Sequence, residues 1–181
     1  MEPESDIETQ DSGLAIVATR DLPRWKAALF SLVLAVGIGF GYHLLGLDFS
    51  PSPALLAQLA GAVVAVTVLH EGLHGAAGAI LGHRPVFGVK PPLVYTTFGS
   101  IMPRSHLAIV ALVPLISLDA AAVALYAADA APLFCALCFG INTLGAAGDV
   151  WVAAVLIAAP RGSMVKDTKS GVEIYAVREG R

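Results

Sequence analysis

Charge is scarce in this chain. Of its 181 residues, 14% are Asp, Glu, Lys or Arg and 56% are hydrophobic. Soluble globular domains carry about 25% charged residues, so the deficit excludes an ordinary water-facing surface over most of the chain and points to a membrane protein. Basic residues are too few and too dispersed for a nucleic-acid footprint, and the net charge is −3. Cysteine is also scarce. Cys135 and Cys138 form a single C-x-x-C inside an apolar segment. With no second pair they read as two small apolar residues of a helix, not as a redox or metal motif. No cleavable signal peptide is expected, because the first residues are acidic and the first apolar run is too long for an h-region.

What is present is a set of long apolar runs broken by short polar segments. One domain is the default at this length. Glu2, Glu4, Asp6, Glu8 and Asp11 mark an acidic N-terminal tail over residues 1–22, within which Gly13–Ala18 is apolar enough for a strand or an interfacial segment. Residues 23–160 form the membrane domain, with expected spans at 27–47, 54–81, 107–128 and 132–159. Residues 161–181 form a polar tail whose Val172–Val177 alternates like one strand. Between the second and third spans, Val86–Val89 and Leu93–Phe98 flank Lys90-Pro91-Pro92 and predict two short strands around a loop. The fold class expected is therefore an all-α integral membrane protein of four transmembrane helices, with a β-hairpin-like loop between helices 2 and 3. Glycines recur every three residues at Gly72, Gly75 and Gly78, which favours close helix contact.

Basic residues set the expected orientation. Arg20, Arg24 and Lys26 precede the first span, Arg84, Lys90 and Arg104 lie between the second and third, and Arg161, Lys166 and Lys169 follow the fourth. The other two connectors have none. The positive-inside rule places both termini and the middle loop in the cytoplasm of a multi-pass protein of the cell membrane.

The chemistry concentrates in Leu69-His70-Glu71-Gly72-Leu73-His74, an H-E-x-x-H inside the second apolar run. Residues four apart on a helix share a face, so His70 and His74 present two imidazoles one turn apart. That arrangement suits two nitrogen ligands on one zinc ion, with Glu71 as general base. Ionisable groups at membrane depth cost roughly 2.5–3.5 kcal/mol each for charged types, so three of them in five residues need a reason. A buried histidine bonded to a carboxylate and a proton or ion pathway are the other readings. Catalytic zinc takes three protein ligands, and depth selects the third. His70 and His74 lie about 16 to 20 residues into the second span and Asp149 about 17 into the fourth, which runs the same way, so they reach similar levels. Asp119 sits near the middle of the oppositely directed third span and is the poorer candidate. Asn142, seven residues before Asp149, shares its helix face and is a candidate to hold a substrate backbone or an oxyanion, or to make an interhelical hydrogen bond.

These residues carry a resemblance. The H-E-x-x-H, the following loop with proline and basic residues, and Gly148-Asp149 in the last span resemble the zincin peptidase family of small membrane proteins, the domain-of-unknown-function 3267 group. Gly162–Asp167 followed by a short strand is similar to that family's ending, and the resemblance covers about Trp25 to Val177. More distantly, the arrangement is similar to site-2 intramembrane metalloproteases, although their aspartate motif of N/L-D-G type is Gly148-Asp149-Val150 here. The resemblance implies a zinc-dependent metallopeptidase acting on membrane-embedded or membrane-adjacent protein or peptide substrates, within a lipid bilayer and with self-association allowed. Two other classes stay open. An intramembrane metal or proton transporter would use His43, Asp119 and Asn142 as further polar stations. A non-catalytic zinc-stabilised adaptor would close the site with a fourth ligand, for which His83 and His106 are the spare histidines.

Overall fold

The computed structural model describes residues 14–21, 24–90, 93–168 and 171–177. Among them are five helices and six strands: β1 (Leu14–Asp21), α1 (Arg24–Leu44), α2 (Pro53–Ile80), β2 (Pro85–Lys90), β3 (Leu93–Phe98), β4 (Met102–Pro103), α3 (Arg104–Ala127), α4 (Pro132–Gly145), α5 (Ala147–Ala158), β5 (Met164–Asp167) and β6 (Gly171–Val177). Glu2 to Asp11, Pro91, Pro92 and Lys169 fall outside the described residues.

The expected all-α, four-span architecture is not what the chain adopts. Two antiparallel sheets are present, one ordered β1-β6-β5-β4 and one made of β2 and β3. Two helices, α2 and α3, are long and apolar enough to cross a membrane, and α4 with α5 makes a third candidate if the bent pair is one span. In α1 the apolar stretch Ala28–Leu44 is shorter. The expected fourth span is broken at Ala146, where α4 and α5 meet at 46°. The segments that looked like tails are strands because they find each other. Leu14 pairs with Val177 and Asp21 with Gly171, and β6 then pairs with β5. A short strand has little stability alone and gains it when a partner covers its backbone and a core covers one face.

That core lies under the sheet, at the end where α2 and α5 finish and α3 begins. Ala77, Phe98, Met102, Leu107, Val110, Leu156, Ala159, Val165, Val172 and Ile174 form one buried cluster there. Above it, toward the other end of the helices, large apolar side chains such as Val64, Val68 and Ile116 are exposed, as they would be on a membrane-facing surface. Arg104 ties the two parts together. Its guanidinium donates to the Leu156 carbonyl at 2.7 Å and to those of Ile157 and Ala159, satisfying carbonyls that the end of α5 leaves open.

Helix α2 is well delimited. Ser52 caps its start, its side chain accepting from Leu55 N–H at 3.1 Å, and Pro53 follows at the first helical position. At its end Gly82 takes φ +85°, and His83 N–H reaches the Gly78 carbonyl at 2.9 Å while Gly82 N–H reaches Ala79 at 3.0 Å, the paired bonds of a Schellman stop. The hairpin β2–β3 then folds back on the helix. The Phe87 ring covers Gly75 and the Phe98 ring covers Gly78, so closely that a Cβ at either glycine would collide. Two of the three spaced glycines therefore receive the hairpin, not another helix.

Candidate metal centre

His70 and His74 project from one face of α2, each 8% exposed, with ring centroids 4.7 Å apart and planes crossing at 80°. Asp149, in the first turn of α5, comes to meet them. Its Oδ2 lies 3.0 Å from His70 Nε2 and its Oδ1 3.5 Å from His74 Nε2. One ligand atom from each of the three residues falls within 4.8 Å of the others, and no other such group of three occurs among the described residues. The break at Ala146 makes this meeting work, since it re-aims α5 relative to α4 and delivers Asp149 just after the bend.

Hydrogen bonds on the far side of each ring fix which nitrogen faces inward. His74 Nδ1 lies 2.8 Å from the Val110 carbonyl, which accepts only, so His74 carries its proton on Nδ1 and leaves Nε2 with a lone pair. That carbonyl is free because of Pro114. In an uninterrupted helix the N–H of residue 114 would bond the carbonyl of residue 110, but proline has none. His70 Nδ1 lies 2.8 Å from Asn142 Oδ1. Asn142 is oriented by its other end: Nδ2 donates to Asp119 Oδ1 at 2.8 Å and faces the Pro114 and Leu115 carbonyls at 3.4 and 3.5 Å. Its carbonyl oxygen must therefore face His70, and His70 also directs an unprotonated Nε2 toward Asp149.

The consequence is electrostatic. Two imidazole lone pairs and a carboxylate, all acceptors when the histidines are neutral, point into one small space. They repel unless a proton or a cation sits among them. Two nitrogens and one oxygen, each held by a neighbour on its outer side, are a donor set that zinc accepts, and three protein ligands leave a fourth position open.

The remaining expected residues are placed as follows. Glu71 is partly exposed beside His70, and its carbonyl accepts from Thr96 Oγ1 of the hairpin at 3.0 Å. Asn142 is 1% exposed, with both ends of its amide engaged, so it faces His70 and not open space. Asp119 stays outside the three-residue group but reaches it through Asn142, and its second oxygen accepts from Thr143 at 2.8 Å. His83 and His106 pair with each other at 2.9 Å, and His43 is exposed near the end of α1. Sequence reasoning missed the Val110 carbonyl, which has no side-chain signature. It also missed Asp167, whose Oδ2 accepts from Thr97 Oγ1 at 2.9 Å. Burial pushes the Asp167 carboxyl up to about 6 against the pull of the Thr97 hydroxyl and the Phe98 N–H, and the nearby Asp149 carboxylate adds to the rise.

A family model described as "Putative zincin peptidase", the domain-of-unknown-function 3267 group, matches residues 63–164, more than half of the chain. The chain belongs to this zincin family. No curated protein matches the chain, and no solved structure does. Membership points to metallopeptidase chemistry and to zinc. The matched segment contains His70, Glu71, His74, Asn142 and Asp149, the whole of the centre described above.

Proposed function

We propose that this zincin-family chain is a membrane-embedded zinc metallopeptidase that hydrolyses peptide bonds of membrane-embedded or membrane-adjacent substrates. The observation that carries this reading is the convergence of His70 Nε2, His74 Nε2 and the Asp149 carboxylate on one point inside an apolar helix bundle. His70, His74 and Asp149 would hold the ion. When bound there, zinc supplies Lewis acidity for a scissile carbonyl and lowers the pKa of water. Glu71 is the general base. It is adjacent to a ligand, partly exposed and ionisable, so it takes the proton of the attacking water and returns it to the leaving amine.

Placement supports a substrate near the membrane boundary. His74 lies six residues before α2 ends at Ile80, about 9 Å along the axis. The hairpin next to Glu71 has exposed Val86, Phe87, Val89 and Tyr95. Those side chains and the unpaired backbone of a two-stranded sheet suit an extended peptide. The basic residues Arg20, Arg84, Arg104, Arg161 and Lys166 all belong to the sheet end, which we place in the cytoplasm.

Glu71→Gln separates binding from chemistry. Purified protein carrying it retains zinc at the wild-type ratio and loses cleavage of a membrane-peptide substrate by about 10²-fold or more, the range of general acid–base effects. His74→Ala and Asp149→Ala lose the metal itself. Cleavage that persists in Glu71→Gln removes Glu71 from the role of base, and metal retained by Asp149→Ala removes the aspartate from the ligand set.

A further inference from the structure

We infer that Asp119 is a positioning residue of the metal centre, acting through Asn142 to hold His70 in the tautomer that can bind metal. The inference rests on the zinc reading above and adds to it a residue two hydrogen bonds away from the ligand atoms.

The argument is one of acceptor counting. Asn142 has two faces, one oxygen and one NH2, and its side chain is fully enclosed. In the observed orientation the NH2 meets only acceptors: Asp119 Oδ1 at 2.8 Å and the Pro114 and Leu115 carbonyls at 3.4 and 3.5 Å. The oxygen meets His70 Nδ1 at 2.8 Å. Rotating the amide by half a turn would set its oxygen against three acceptors with no donor between them. It would also offer an N–H to His70 Nδ1. The ring would then have to carry its proton on Nε2, the atom that faces Asp149, and that atom would no longer be a ligand. Asp119 makes the short contact among the three acceptors, so it contributes most to the choice of orientation.

Asp119 is itself held. Its second oxygen accepts from Thr143 Oγ1 at 2.8 Å, on the helix that carries Asn142. The series Thr143–Asp119–Asn142–His70 thus links α4, α3 and α2. It has a donor and an acceptor correctly matched at every step. Partners of this kind on the outer side of a histidine ligand change metal affinity by about 10–100-fold when removed.

The test compares Asp119→Ala with Asp119→Asn in detergent-purified full-length protein, titrated with Zn²⁺ and with Co²⁺. Asparagine can still offer its carbonyl oxygen to Asn142 while its NH2 donates to the Thr143 hydroxyl, which accepts as readily as it donates. Asp119→Asn therefore keeps near-wild-type affinity and the wild-type Co²⁺ visible spectrum. Asp119→Ala loses affinity by about 10–100-fold and shifts the spectrum. In an Asn142→Ala background, Asp119→Ala costs nothing further, because the path is already cut. Equal affinity in Asp119→Ala and wild type overturns the inference. So does equal loss in Asp119→Asn and Asp119→Ala, which would mean that charge and not orientation matters. Wild-type protein that binds neither metal overturns the zinc reading and this inference with it, an outcome distinct from a wild type that binds and an Asp119→Ala that binds equally.

Discussion

At the scale of single residues, the motif was legible because its spacing is chemical. Two histidines four apart with a glutamate between them, set in apolar sequence, leave few uses for three costly groups. Asp149 was legible from depth alone, as a carboxylate reaching the same level in another apolar run. Asn142 was legible as a residue on the right face but not as to its job, because an amide's partners are set by tertiary contacts that spacing does not encode. Asp167 carried no signal. It lies in a polar tail, and only the packing of β5 beside the hairpin buries it. Its raised pKa has a stability consequence. A carboxyl at about 6 in the fold and near its ordinary value when unfolded holds its proton longer in the native state. The native state is therefore favoured below about pH 4, and this advantage is lost as pH rises through about 6. Asp167→Asn removes the buried charge while keeping a carbonyl oxygen for Thr97. It should stabilise the protein above pH 6 by up to about 2 kcal/mol and leave it little changed at pH 4. Thermal melts of the purified protein at the two pH values decide this. Equal melting of variant and wild type at pH 7 would show that Asp167 ionises in the fold without penalty.

At the scale of elements, helices and hairpin were legible and the four-stranded sheet was not. Apolar runs are local signals, and only two residues separate β2 from β3 in sequence. By contrast β1 pairs with β6 from the far end of the chain, and nothing within Leu14–Asp21 names its partner. The break at Ala146 was hidden as well, since α4 and α5 are both apolar and no proline lies between them. Helix α3 shows how an element can serve a site without donating a ligand. Its Pro114 removes one intrahelical bond, and the carbonyl so freed fixes His74. Pro114→Ala restores the missing N–H, which then competes with His74 for the Val110 oxygen. We expect zinc affinity to fall by about tenfold or more, in the range seen for partners of ligand histidines, while the helix itself gains a hydrogen bond. Equilibrium metal titration measures the first and helical ellipticity at 222 nm the second. Unchanged affinity would show that the Val110 carbonyl serves both donors without loss.

At the scale of the whole molecule, pairing of β1 with β6 fixes a relation that hydropathy could only assign by charge counting. The strands nearest the two ends of the chain share one sheet with β4 and β5, so all of them lie at one end of the helices. The hairpin lies at that end too, because α2 stops at Ile80 and the chain turns directly into β2. The His70–His74–Asp149 cluster is therefore closer to the sheet end than to the Asp48–Ser50 segment that precedes α2, and we propose that water and substrate approach from the sheet side. Which side of the membrane this is can be measured with single cysteines placed in a background where Cys135 and Cys138 are replaced by alanine. Arg161 and Ser50 are both exposed, the first at the end of α5 and the second just before α2. A membrane-impermeant maleimide should label Ser50→Cys in intact cells and Arg161→Cys only in inverted vesicles, because the basic residues cluster with Arg161 and the positive-inside bias favours the cytoplasm for them. Labelling of Arg161→Cys in intact cells would reverse the orientation, place the hairpin outside, and move the peptides within reach of Glu71 from cytoplasmic to extracytoplasmic ones.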